Sequence, residues 1–512
     1  MIRMIRPTIF KPGVRRRHQG GSKIQQGGPT THWFMRYVAA TLILFVAVTS
    51  VLGTCGGGGG GGSGGMSGGS GGPSAPVYLV PWKIRKASDA APQGLVLYWF
   101  PATENELRNS SLRESRILSL YAAKCIAMEV ADGKVANAEK LVGGSQLPVA
   151  VLATADGNPI NKVENKAGKL KVGDVEKVVD AEFKAREGSI ETQIKDAAEK
   201  AKAGDSAGAV EIYKSVLEHK CMFPKKAKDA ANQLKKLGVA VNVDVTQEPV
   251  FDRQKSAVIE QTMRRGLIAE IREQYRLAER LYRKAALMDP ADPTPLRYLG
   301  ETYRHHTGEW DKARVEFQKI LDMPSDPLSR AVALHGLGKM TIHDGEFKKG
   351  LALFEQSIGE FPLPITYRNL AVYWNSEGDP AKGNEYTQKA LALDPKDPYN
   401  IVFAAVFMAA NGKKDEALKI ARANMNLLPA SYNLAAIYAQ NGQRDKALSL
   451  LRRHFFRYER YQAVRAKEMM EARVDAVFES IRHDSEFMAL TSGADGKLQM
   501  PMRNMNTGSQ NQ

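Results

Sequence analysis

The chain is predicted to be mainly α: a helical solenoid preceded by a small α/β domain. Three observations predict this. From about Ala257 the sequence repeats every 34 residues or so, and a period of that length marks a solenoid. Upstream, residues 94–160 hold short apolar runs that alternate with helical patterns, the order of a parallel pair with a covering helix. A stretch of glycine and serine that can bury no core precedes them.

The repeat is defined by small residues. Glycine or alanine stands at Gly266, Gly300, Gly338, Ala371, Ala405 and Ala435. A second small residue follows about a dozen positions later, at Ala278, Ala313, Gly350, Gly383, Ala417 and Ala447. Each unit is then two antiparallel helices whose backbones approach at these positions, with large residues such as Leu334, Leu337 and Phe354 filling the gaps. Gly345, Gly378, Gly412 and Gly442 fall in the turns between helices, where a left-handed residue is needed. Pro290, Pro324, Pro362, Pro395 and Pro429 close five of the units. The unit at Gly300 carries one extra residue before Ala313, near His305 and His306.

The pattern resembles the tetratricopeptide repeat, in units such as LHGLGKMTIHDGEFKKGLALFEQSIGEFP (Leu334 to Pro362) and YRNLAVYWNSEGDPAKGNEYTQKALALDP (Tyr367 to Pro395). Six units run from about Ala257 to Arg453, and a weaker one lies around Gly204, Ala209 and Tyr213. The resemblance implies a concave face built by the first helices, which holds peptides or partner helices. Carried onto this chain, it places Arg297, Glu301, Arg304, His335, Lys339, Arg368 and Asn375 on that face. The set leans basic and favours acidic peptides or a terminal carboxylate. The competing reading of each of these residues is a solvated surface charge.

In the α/β region, Gly94–Phe100 reads as a buried strand, Glu104–Lys124 as one helix and Cys125–Val130 as a second strand. Val135–Val142 fits a short helix, Leu147–Leu152 a third strand turned at Asp156-Gly157-Asn158, and Val175–Phe183 the start of another helix. This order resembles the thioredoxin fold, chiefly in the strand ending Tyr98-Trp99-Phe100 and the strand opened by Leu147-Pro148. Where that family carries its CxxC, this chain reads Ala102-Thr103-Glu104-Asn105-Glu106. Disulfide exchange needs an attacking thiolate, so the resemblance implies a fold and a docking role rather than redox activity.

The N-terminus points to export. Val38–Leu52 is an apolar run of about fifteen residues, short for a membrane span of about 20 and suited to a signal-peptide core. It ends in Leu52-Gly53-Thr54-Cys55 and resembles a bacterial lipoprotein signal, in which Cys55 receives lipid. Residues 1–34 are basic and free of acids, and translation is expected to start at Met35. The tether beginning Gly56–Gly62 spans about 20 residues, a root-mean-square reach of roughly 25 Å. By analogy with Gram-negative lipoproteins, Gly56 after the cysteine favours the outer membrane, facing the periplasm. The alternative is an uncleaved anchor in the inner membrane.

Charge and cysteines narrow the function. The formal charge is +16, but eight basic residues and no acids precede Cys55, leaving 64 basic against 56 acidic residues. That balance does not call for nucleic acid. The cluster from Arg452 to Tyr461 interleaves bases with aromatics and reads as a helix packed on the last repeat. Cys125 and Cys221 are expected to be separate buried thiols, although an oxidising periplasm would allow a bond. No metal-ligand spacing is present and no cofactor is implied. Gly336–Thr341 lacks the first glycine of a phosphate loop and sits inside a repeat helix. His305-His306 read as surface residues.

The expected organisation is a signal over 1–55, a tether over 56–75, a thioredoxin-like domain over 76–188 and a helical linker over 189–256. A repeat array over 257–455, capping helices over 456–490 and a disordered tail over 491–512 complete it. The function expected is a membrane-tethered scaffold, not an enzyme, that recruits protein partners in the bacterial cell envelope. The alternative is a thioredoxin-like accessory or enzyme in envelope protein maturation.

Overall fold

The computed structural model describes residues 77–492, apart from 86–88, 90–91, 93, 134, 136, 244–246, 429 and 460. Cys55, the apolar run, the tether and the tail beyond 492 lie outside the described residues, as do Pro429 and Arg460. The fold class is as the sequence predicts: a small α/β region with a five-stranded sheet, then a long array of helix pairs.

The sheet is built from β1 (Lys83–Ile84), β2 (Leu95–Phe100), β3 (Ile126–Val130), β4 (Val149–Thr154) and β5 (Pro159–Glu164), in the order β1-β3-β2-β4-β5. β2 runs parallel to β3 (Leu95 opposite Ile126) and antiparallel to β4 (Leu97 opposite Leu152). Every residue of β2 is buried. Leu95, Leu97 and Trp99 join one core, and Val96, Tyr98 and Phe100 join another with Leu141, Val149 and Val151. Both faces of the strand are therefore covered, which is why it reads as an unbroken apolar run. The Leu147–Pro148 peptide is cis.

Two expectations for this region are corrected. Residues 104–124 do not form one helix but α1 (Glu104–Asn109), a 3₁₀ turn (Ser111–Arg113) and α2 (Arg116–Ala122). The cause is serine. The Ser110 hydroxyl accepts from the Leu112 amide and the Ser115 hydroxyl from the Leu118 amide, so each starts a new helix where a continuous one would need α-region backbone. Cys125 and Cys221 are also not separate thiols. They form a disulfide with Cα atoms 6.0 Å apart, closing a loop of 96 residues. It ties the sheet to the helical hairpin that follows.

After α3 (Ala138–Val142), α4 (Val172–Lys202) packs on the sheet, and α5 (Ser206–Glu218) and α6 (Pro224–Lys236) pack on α4 and extend the same core. α4 and α5 pair as a repeat unit does. Ala197 and Ala209, both fully buried, face across the pair, and Gly204 turns between them at φ +88°.

The array follows as six pairs: α7 (Arg253–Ile271) with α8 (Tyr275–Met288), α9 (Pro293–Glu301) with α10 (Trp310–Asp322), and α11 (Pro327–His343) with α12 (Phe347–Glu360). Then come α13 (Pro364–Ser376) with α14 (Pro380–Leu393), α15 (Pro398–Ala410) with α16 (Lys414–Ala423), and α17 (Ser431–Gln440) with α18 (Arg444–Arg453). The small residues earn their place by contact. A Cβ at Gly266 would lie 2.4 Å from the Tyr282 ring, and one at Gly300 would lie 2.3 Å from Phe317. The extra residue of the second unit is absorbed as a π-helical turn over Thr302–Thr307, the usual answer to an insertion within a helix. Past α18 the chain makes a second π turn (His454–Tyr458), then α19 (Gln462–Val474), a 3₁₀ turn (Ala476–Ile481) and α20 (Ser485–Ser492). Met469, Phe478, Ile481 and Phe487 complete the apolar core of the last pairs.

The α/β region is fixed to the array by Arg116, which is 1% exposed. Its guanidinium donates to Asp292 (3.1 Å), Asp289, the Val250 carbonyl (2.7 Å) and the Ser256 hydroxyl (2.7 Å). The Tyr78 hydroxyl donates to Asp292 as well, at 2.7 Å. Removing one side of a buried, hydrogen-bonded ion pair strands the other charge, at a cost of about 3–5 kcal/mol. Arg116→Ala is expected to lower the urea midpoint accordingly, whereas Arg264→Ala, at a half-exposed pair with Glu114, is expected to change stability by about 1 kcal/mol or less. Equal midpoints for the two variants would disprove the anchoring role of Arg116.

Candidate partner-binding groove

The first helices of the later pairs line a common face, and the face that the repeat register assigns to partners is in large part covered by the chain itself. At one end the segment Val77–Leu79 packs into the core of the first three pairs, and the Tyr298 hydroxyl reaches the Val77 carbonyl at 3.4 Å. Arg297, on α9, is buried there with its guanidinium 5.6 Å from the Tyr298 ring. Its charge opposes the upward push of burial on the Asp326 carboxyl, which caps α11.

Glu301, Arg304, His305 and His306 sit in or beside the π turn. Arg304 donates to Glu301 at 3.0 and 3.3 Å, and both are buried. His305 and His306 are not surface residues: they lie 3.3 Å from Glu301 and from Glu270, and His306 stacks on Tyr275 at 4.3 Å. The π turn rotates these side chains inward, which the repeat register could not foretell. Burial, with the Arg304 cation beside it, pushes the His305 imidazole down to about 4, so it is neutral at ordinary pH.

His335 is a core residue, 1% exposed. Its ring stacks on Phe354 at 5.2 Å. The hydrogen bonds run in one direction: the Asn369 amide donates to Nε2 (3.4 Å) and Nδ1–H donates to Thr366 (3.0 Å). Thr366 in turn donates to Ser357 (3.2 Å), which donates to the Ala331 carbonyl (2.8 Å). One tautomer satisfies every group, and burial holds the ring neutral.

Lys339 is 8% exposed and meets Glu471 of α19 at 2.5 Å, a residue 132 positions away. The expected basic lean of the groove is thus offset at Lys339 by the chain's own acid. Arg368 bonds Asn400 and lies 4.0 Å from Asp397. Asn375 stands on the same face, half-buried.

Between α13, α15 and α17 on one side and α19 with the following turn on the other, a cavity of about 180 Å³ remains. Val372, Phe403, Val406 and Phe407 line its apolar part, and Arg368, Asn375 and Glu468 are among its polar groups. Val474 lines it too and is 78% exposed. The volume is close to that of a dry cavity that accepts a benzene-sized group, roughly 150 Å³. Among the described residues no group of acids, histidines or cysteines could hold a metal, and no helix is long and apolar enough to cross a membrane. Sequence reasoning missed this cavity because α19 supplies one wall.

No protein-family profile matches the chain. A curated relative, the Photosystem I assembly protein Ycf3 of Rippkaea orientalis, is 28% identical over 90 residues, which is 17% of this chain. The chain spans about half (52%) of that relative's length. Among solved structures, Pseudomonas aeruginosa pilF is 17% identical and covers 39% of this chain and 91% of its own, with a TM-score of 0.30. A tetratricopeptide repeat protein of Parabacteroides merdae is 15% identical and covers 59% and 99%, with a TM-score of 0.29. YrrB, described as a TPR protein with an unusual peptide-binding site, is 22% identical and covers 34% and 90%, with a TM-score of 0.23. The solenoid assignment rests on this chain's own helix pairs.

A buried acid cluster borders the groove. His454 Nε2 lies 2.8 Å from Glu468, and Glu459 is buried beside them. Burial, then the Glu468 charge, pushes the Glu459 carboxyl up to about 9. An acid whose folded pKa exceeds its unfolded value contributes stability that is complete below the unfolded value and lost as pH rises through the folded one. The melting temperature is therefore expected to fall between about pH 5 and about pH 9. Glu459→Gln should flatten that slope; an unchanged slope in scanning calorimetry would refute the assignment.

Proposed function

We propose that this protein is a scaffold, tethered by lipid at Cys55 in a bacterial cell envelope, that gathers protein partners on the concave face of its repeat array. The observation that carries the reading is the cavity between α13, α15, α17 and α19, apolar in its lining with polar groups around it. That is the composition of a site that takes a large side chain of a peptide. The curated relative's name describes an assembly protein, the kind of work a scaffold does.

Two features support export. The segment ending in Cys55 has the length and composition of a lipoprotein signal. The disulfide between Cys125 and Cys221 suits an oxidising compartment, because cytosolic thiols are kept reduced. The outer membrane, facing the periplasm, is the proposed location. The sheet order β1-β3-β2-β4-β5 supports a thioredoxin-like reading of the α/β region. At residues 102–106 that region offers Thr103 as the cap of α1 rather than a thiol, which favours docking over exchange.

Two measurements test the proposal. A photoreactive residue at Val474, exposed beside the cavity, is expected to capture one dominant partner in intact cells, and Phe407→Glu should abolish that adduct. Background labelling alone would sink the scaffold reading. The unaltered chain is expected to be labelled by radioactive palmitate, and Cys55→Ser to eliminate that label. Membrane association of the unaltered chain without any label would point instead to an uncleaved signal anchor.

A further inference from the structure

Helix α19 touches the array through two faces. On one, Ala463, Lys467 and Glu471 follow at intervals of four, a single stripe of the helix. Each member of the stripe meets a group in the second or third pair. A Cβ placed on Gly308 would lie 2.6 Å from that of Ala463, so the helix rests directly on this glycine. The Lys467 ammonium sits 3.5 Å from the centre of the Trp310 ring. Glu471 meets Lys339 and His343, each at 2.5 Å. The opposite face carries Glu468, which pairs with His454, and Met469 and Ala472, which are buried with the last pairs. The helix thus reaches from the second and third pairs to the sixth.

The three receiving groups are complementary to three different chemistries. Gly308 admits only a small residue at close approach. The Trp310 ring attracts a cation. Lys339 and His343 take a carboxylate, in a place where Lys339 is buried and an unanswered charge would be costly. Lys339 is also within 3.4 Å of the Tyr373 hydroxyl, which fixes the ammonium in place.

We infer that Gly308, Trp310, Lys339 and His343 form a helix-recognition strip that reads a small residue, a cation and a carboxylate spaced four residues apart, with α19 as its ligand in cis. A partner helix of the same pattern competes with α19 for the strip. This deepens the scaffold reading by naming the chemistry of a partner, and it rests on that reading only for the partner's existence.

The test uses the full chain and a fluorescent peptide with the sequence of residues 461–475. The chain carrying Glu471→Lys, whose own helix now repels Lys339, is expected to bind the peptide at least about tenfold more tightly than the unaltered chain. A peptide with Lys467→Ala and Glu471→Gln should lose that gain. A chain carrying Lys339→Glu alone, whose own Glu471 is now repelled, should reject the natural peptide and bind only one carrying Glu471→Lys. Circular dichroism melting checks that each variant folds. Should Glu471→Lys fail to fold, a chain carrying the milder pair Lys467→Ala and Glu471→Gln takes its place. Equal peptide affinity for the unaltered and the loosened chain, or binding indifferent to the two charges, would overturn the inference. Peptide binding without any adduct in cells would leave the strip standing and remove the scaffold reading; an adduct in cells without peptide binding would do the reverse.

Discussion

The guanidinium of Arg116 is the constraint on which the arrangement of this molecule depends. It is a cation removed from water, and the two carboxylates that answer it, Asp289 and Asp292, belong to the loop between the first and second helix pairs. Two acids against one base would leave a buried negative charge. The remainder is met by dipoles: Asp292 accepts from the Thr294 amide at the start of α9, and Asp289 accepts from the Val250 and Ala291 amides. The aspartates that cap the repeat helices are thus also the socket for the α/β region. Tyr78 adds its hydroxyl to the same site and draws the segment Val77–Leu79 across the array. Rotation of the sheet relative to the solenoid would break all of these bonds at once.

At the other end the chain closes on itself by a different means. The insertion in the second pair turns Thr302–Thr307 into a π helix, which brings Arg304, His305 and His306 inward and leaves Gly308 as a shelf for α19. That helix then connects the second and third pairs to the sixth. A solenoid alone has contacts only between neighbouring units. Here an ion pair between residues 132 positions apart, its lysine buried, ties the third pair to a helix beyond the sixth, and the space left beside that helix is the cavity near Arg368 and Val474.

The two ends bear on function in the same way. Of the residues that the repeat register assigns to the concave face, Arg297, Glu301, Arg304 and His335 are buried among the chain's own groups, and Lys339 is held by Glu471. Arg368 and Asn375 remain beside open space. Free surface for a partner is therefore concentrated toward the later pairs, and access to the earlier ones runs through α19.

The sequence by itself determined the helix pairs. Gly266, Gly300 and their counterparts mark where backbones approach, because a side chain there collides with Tyr282 or Phe317, and such local packing leaves a period that can be counted. It marked β2 as a buried strand by its unbroken apolar run, and it marked the insertion near His305. The tertiary structure alone decided the Cys125–Cys221 bond, the Arg116 socket and the seating of α19. Each joins residues far apart in the chain, through one or two side chains that repeat nowhere. A period records what every unit must do; a single long-range contact has no second copy against which to be recognised, and only the folded chain brings its partners together.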